Sequence, residues 1–192
     1  MPDYQIFVDG LEIAAEVKQI EPNVADRAIL NEVSNGRCAS YWVNMSRPRP
    51  SIVDGTRQLR SYAKGRCPGI VVLYELVPLL GYLDPDTIAQ TLYGPKQVHV
   101  AVPDDPGREP WVLGGSHGGG RVATEHQNTT LSAVALLQMS GETEGISIFH
   151  NTFAALPIDP RRFQFDGVRH FVWRAPDSGF LPWWVDITDG AE

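Results

Sequence analysis

Residues 2–18, PDYQIFVDGLEIAAEVK, hold the reading that decides both the fold and the chemistry. Tyr4–Val8 and Leu11–Lys18 read as strands on either side of Asp9-Gly10. An Asp-Gly pair between apolar runs is a strong hairpin signal, because the favoured two-residue turn needs positive φ at both central positions. With that turn Val8 faces Leu11, and the same pairing puts Asp3 opposite Glu16. Directly opposed Cβ atoms lie ~4.5–5.5 Å apart. Side chains alternate along a strand, so Lys18 emerges on the same face as Glu16. Two carboxylates and an ammonium thus gather at the open end of the hairpin.

Opposed like charges destabilise a hairpin, and a bound cation is the simplest compensation. Carboxylate oxygens are hard ligands suited to Mg²⁺ or Mn²⁺. Asp3 and Glu16 are therefore the expected metal ligands, with the backbone carbonyl of Val17 as a further oxygen. An ion held there polarises a phosphate and lowers the pKa of a bound water. Lys18 would hold the nucleophilic water or stabilise developing charge. The plainer alternative makes Asp3 and Glu16 exposed strand residues with Lys18 as their partner.

Downstream, Ala25–Val33 reads as a helix ending near Asn35-Gly36, and Ser46–Pro50 as a Pro/Arg loop. Ile52–Lys64 reads as a helix with Ile52, Leu59 and Ala63 on one side and Gly65 as its stop. Gly69–Glu75, GIVVLYE, is short, continuously apolar and β-branched, the pattern of a buried strand. Asp84 caps a helix that opens on Pro85 and runs to about Tyr93. Gln97–Val102, Leu131–Gln138 and Gly145–His150 read as further strands. Asp104–Gly120 reads as a long loop, and the tail from Asp159 as irregular. A hairpin, then helix, strand, helix and strand imply an α/β fold with a mixed central sheet flanked by helices. One domain is expected, with a core over residues 1–103 and a strand-rich extension over residues 121–192.

Asp3, Glu16 and Lys18, preceded by Pro2, resemble the signature of the PD-(D/E)XK nucleases. In TRQLRSYAKG, Gln58 and Tyr62 stand four apart on one helical face. That pair is similar to the QxxxY motif of RecB-type exonucleases in the same superfamily. The resemblance covers about residues 1–75. It implies a restriction-endonuclease-like core and a magnesium- or manganese-dependent nuclease, with Asp3, Glu16, Lys18, Gln58 and Tyr62 as the catalytic set. DNA is the expected substrate and RNA the alternative. The superfamily places a helix, often with another acidic ligand, ahead of the first catalytic strand, whereas Met1 and Pro2 are what precede Asp3 here. That departure favours a rival reading, an inactive nuclease-fold module that binds nucleic acid or a protein. Asp9 is a fallback ligand, but its place in the turn favours a structural role.

The net charge of −7 argues against a sequence-blind nucleic-acid coat protein. Charge is uneven, however: Arg47, Arg49, Arg57, Arg60, Lys64 and Arg66 crowd into one run with a single acid, Asp54. That run is either a solvated helix face or a phosphate-binding patch, in which Arg47, Arg49, Arg57, Arg60 and Lys64 position the backbone of DNA. Cys38 and Cys67 lack the spacing of a zinc site and read as reduced thiols. No apolar run reaches membrane-helix length, and the first residues do not form a secretory signal, so a cytoplasmic protein is expected. Gly114–Gly120, GGSHGGG, lacks the ending of a P-loop and reads as a flexible loop, with Arg121 able to touch phosphate. Ser116, His117 and Ser132 sit in nothing like a nucleophile elbow, so a small-molecule hydrolase built on Ser132 or His150 is the weakest reading. His150-Asn151 reads as a structural pair, and Trp173, Trp183 and Trp184 as packing or an interface.

Overall fold

Strand β1 (Tyr4–Val8) and strand β2 (Leu11–Ile20) turn on Asp9 at φ 47° and Gly10 at φ 77°. The register runs from Val8 opposite Leu11 to Tyr4 opposite Ala15, as the Asp-Gly turn requires. The structure is a computed structural model and describes residues 1–40, 46–75, 83–140, 143–174 and 182–188. Helix α1 (Val24–Ser34) starts at a capping box, in which Asn23 accepts from the Asp26 N–H and Asp26 from the Asn23 N–H. Helix α2 (Arg49–Ala63) begins earlier than its sequence suggests. Arg49 and Pro50 form its first turn instead of a loop, because proline's missing N–H costs nothing there. Strand β3 (Gly69–Glu75) follows, and helix α3 (Pro85–Tyr93) is capped by Asp84 accepting from the Thr87 N–H at 2.9 Å.

Strands β4 (Lys96–Ala101) and β5 (Trp111–His117) form an antiparallel ribbon of their own. The stretch 104–120 is therefore not one long loop, and Gly114–His117 belongs to a strand instead of a flexible loop. Cross-strand pairing to β4 overrides the loop-like composition around Trp111, Val112 and Leu113. Strands β6 (Leu131–Ser140), β7 (Thr143–His150), β8 (Val168–Arg174) and β9 (Trp183–Asp186) complete the chain. The tail expected to be irregular thus carries two strands. VRHFVWR is β-branched and aromatic, and its backbone groups are satisfied by pairing parallel to β7.

Seven strands make one mixed sheet in the order β1-β2-β3-β6-β7-β8-β9. The sheet is α/β in class, with β2, β3 and β6 parallel at its centre. The strands of the second half continue the same sheet, since β6 lies directly beside β3. Alternation along β3 feeds two cores. Val71 and Leu73 join Ile52, Leu59, Ile88 and Leu92 under α2 and α3. Ile70 and Val72 join Ile13, Ala15, Ala133 and Ile158 on the opposite face. Both faces are covered, which explains the unbroken apolar run of this strand. Among the described residues no helix is long and apolar enough to cross a membrane. Cys38 is exposed and Cys67 buried, both unbonded.

Candidate functional site

The pairing of β1 with β2 stops at Tyr4. Beyond it, the Asp3 side chain takes over the role of a strand neighbour: its Oδ2 accepts the Val17 N–H at 2.9 Å. A strand residue directs its N–H and C=O to the same side, so the Val17 carbonyl also faces Asp3. Glu16 lies on the face covered by α2 and is 2% exposed. Burial pushes its carboxyl above the ordinary value, and the Asp3 charge pushes the same way; Lys18 only partly offsets them. Asp3 itself is exposed, which leaves the acidic pair open to solvent on that side. Lys18 Nζ sits 3.4 Å from Glu16 Oε2 and 3.3 Å from Asp54 Oδ2, and donates to Gln58 Oε1. Asp3, Glu16 and Lys18 thus converge.

This donor set is chemically suited to a hard divalent cation. Asp3, Glu16 and the Val17 carbonyl are oxygen ligands, and Mg²⁺ commonly uses one or two carboxylates with waters and substrate phosphates completing its shell. Among the described residues no group of three or more His, Cys, Asp or Glu side chains is arranged to hold a metal ion. A cation at this place would depend on the two carboxylates, the main-chain oxygen and exogenous ligands.

Helix α2 roofs the site closely. A Cβ on Gly55 would lie 2.9 Å from Val71 Cγ2, 3.2 Å from Val71 Cγ1 and 3.5 Å from Lys18 Cε. Only a residue without a side chain lets the helix approach this near. Asp54 and Gln58, one helical turn apart, then both reach the Lys18 ammonium. Burial pushes the Asp54 carboxyl up, but hydrogen bonds and charge from Lys18 and Arg57 outweigh it and hold the group below its ordinary value.

Tyr62 goes elsewhere. Its hydroxyl donates to Glu12 Oε1 at 2.6 Å and accepts from Gln5 Nε2 at 2.6 Å, and the Arg66 guanidinium lies 4.3 Å from its ring centre. The hydrogen bond to Glu12, with some burial, raises the phenol's pKa. Of the QxxxY pair, therefore, Gln58 meets Lys18, and Tyr62 fastens the helix to the hairpin one turn further along.

The basic run divides in the same way. Arg47 pairs with Asp26 at 3.3 Å, and Arg49 donates to the Gly120 carbonyl. Arg57 pairs with Asp54 and Arg60 donates to Asn128 Oδ1 at 2.7 Å, while Lys64 is exposed at the helix end. Arg57, Arg60 and Lys64 line the outer side of α2 at i, i+3, i+7 spacing, and Arg57 keeps 75% of its side chain exposed.

The remaining candidates have structural partners. Ser132 Oγ donates to the Leu156 carbonyl at 2.6 Å and accepts the Gly69 N–H. His150 meets His170 at 3.0 Å in the interior, and Asn151 donates to the Leu131 carbonyl at 2.7 Å. Ser116 meets His99 at 2.8 Å on the exposed ribbon, and His117 bonds the Gly94 carbonyl at 2.8 Å. Arg121 donates to the His117 carbonyl at 2.9 Å. An open depression of about 660 Å³ runs along Gly118–Gly120, and its lining includes none of the groups around Lys18. Trp173 and Trp184 pack with Tyr93, whereas Trp183 is 49% exposed.

Asp54 is the residue that sequence reasoning passed over. It stood out only as the lone acid of a basic run, yet its place four residues before Gln58 was the available signal. Compared with known family models, curated proteins and solved structures, the chain matches none of them.

Proposed function

We propose that this chain is a divalent-metal-dependent nuclease with a restriction-endonuclease-like core, hydrolysing phosphodiester bonds in DNA. The observation that carries the reading is a buried carboxylate, Glu16, kept next to Asp3 and within 3.4 Å of the Lys18 ammonium. Burying an acid beside a second acid is costly, and a cation between them removes the cost. Asp3, Glu16 and the Val17 carbonyl would hold Mg²⁺ or Mn²⁺. The ion would supply Lewis acidity toward a phosphate oxygen and a more acidic water. Lys18 orients that water or stabilises the charge that develops on the phosphate. Gln58 holds Lys18 by accepting a hydrogen bond from its ammonium. Arg57, Arg60 and Lys64 face solvent along α2 and contact the phosphate backbone without regard to sequence.

A second reading, an inactive module that binds nucleic acid or a protein, draws on one observation: the Lys18 ammonium already has ion-pair partners in Glu16 and Asp54 and a hydrogen-bond acceptor in Gln58. One assay separates the two. The purified chain is incubated with linear, circular and single-stranded DNA and Mg²⁺ or Mn²⁺, alongside Lys18→Ala. Cleavage by the wild type and not by the variant supports the nuclease. Binding without cleavage by either points to the module.

A further inference from the structure

Asp54 has a place in the site that charge alone does not explain. Its carboxylate bridges inward to Lys18 at 3.3 Å and outward to Arg57. Lys18 carries its charge on a flexible four-carbon stem, so a fixed ammonium needs acceptors on more than one side. Glu16 supplies one from the strand; Asp54 and Gln58 supply two from the helix. Gly55 brings that helical turn against Lys18 Cε, which leaves the stem little room.

We propose that Asp54 is a positioning residue for Lys18 and that Arg57 couples this clamp to the substrate phosphate. The inference rests on the nuclease reading and assigns a role to a residue outside the signature. When Glu16 turns its oxygens to a cation, Asp54 and Gln58 keep the ammonium in place. A phosphate arriving at α2 attracts the Arg57 guanidinium, whose side chain is 75% exposed. Asp54 then gives its full charge to Lys18. The clamp is tightest when substrate is present.

The test reads the clamp and the chemistry separately. Side-chain carbon relaxation at Lys18 Cε reports its order without any need for turnover. Lys96, paired with Asp86 at 2.7 Å, serves as an internal reference. Asp54→Ala is expected to lower the order of Lys18 and leave Lys96 unchanged, and Asp54→Glu, which keeps a carboxylate, to restore it. In DNA cleavage with Mg²⁺, Asp54→Ala should lower kcat by ~100-fold, the scale set by a small misplacement of a catalytic group, with KM little changed. Arg57→Ala should raise KM instead. Undiminished order at Lys18 in Asp54→Ala overturns the proposal, as does an unchanged kcat. If the wild type cleaves no DNA while Lys18 loosens in the variant, the clamp stands and the nuclease reading falls.

Discussion

Replacing Gly55 with alanine sets two effects of known sign against each other. Alanine in place of glycine inside a helix gains about 1 kcal/mol from backbone entropy alone. Against that stands the close seating of α2. The new Cβ would meet Val71 Cγ2 at 2.9 Å and Cγ1 at 3.2 Å. Val71 is fully buried, and a β-branched side chain has few rotamers to retreat into. The helix must therefore lift by several tenths of an ångström. Overpacking of this kind costs about 1–3 kcal/mol, so the balance is a net loss of about 1 kcal/mol. Urea unfolding of wild type and Gly55→Ala at one pH, compared through the midpoint at unchanged slope, measures it. A second background sharpens the reading. In Val71→Ala the obstructing methyls are gone, and adding Gly55→Ala there should stabilise by up to about 1 kcal/mol, the propensity gain. The change of sign between backgrounds is the coupling between helix and strand. If Gly55→Ala stabilises the wild type as it would an exposed helix, α2 does not press on β3 and Lys18 as described.

Three other outcomes follow from the same structure. Burial, then the neighbouring His170, lowers the His150 pKa from 6.5 to about 4; the folded state thus resists protonation, and stability present above pH 6.5 should fall by up to ~3 kcal/mol as pH drops toward 4, a slope that urea midpoints should show reduced in His150→Gln, with His170, which burial also holds below its ordinary value, supplying the remainder. Arg57→Ala and Lys64→Ala should each reduce the salt slope of duplex DNA binding by ~0.9, whereas Arg47→Ala, which loses its pairing with Asp26, should lower stability and leave that slope unchanged. Tyr62→Phe forfeits the hydrogen bonds to Glu12 and Gln5 and should lower the urea midpoint, with Mn²⁺ affinity unaltered.

The hairpin and its charged end were legible in the sequence for a physical reason. Asp9-Gly10 admits one tight turn, the turn fixes the register, and a period of two then assigns every side chain to a face. Asp3, Glu16 and Lys18 needed nothing more. Gln58 was legible as part of a spaced pair, but the destination of Tyr62 was not, because spacing gives a helical face and not its distance along a strand. Asp54 was hidden for the opposite reason: among five arginines and a lysine, it looked like a counter-ion. Strand β5 was masked by the glycines and prolines around it. Strands β8 and β9 are held by pairing with β7 and with each other, and such long-range partners leave little local trace.

Titration of Mn²⁺ into the chain, followed through the free-ion electron paramagnetic resonance signal, tests the site itself. Wild type should take up one ion per chain. Uptake should tighten as pH rises, because burial and Asp3 keep Glu16 protonated to higher pH than an ordinary glutamate, and the ion needs its carboxylate charged. Glu16→Gln and Asp3→Asn should each abolish that uptake, and Lys18→Ala should retain it. No uptake by the wild type, or equal uptake by wild type and Glu16→Gln, would contradict a metal site between the third and sixteenth residues.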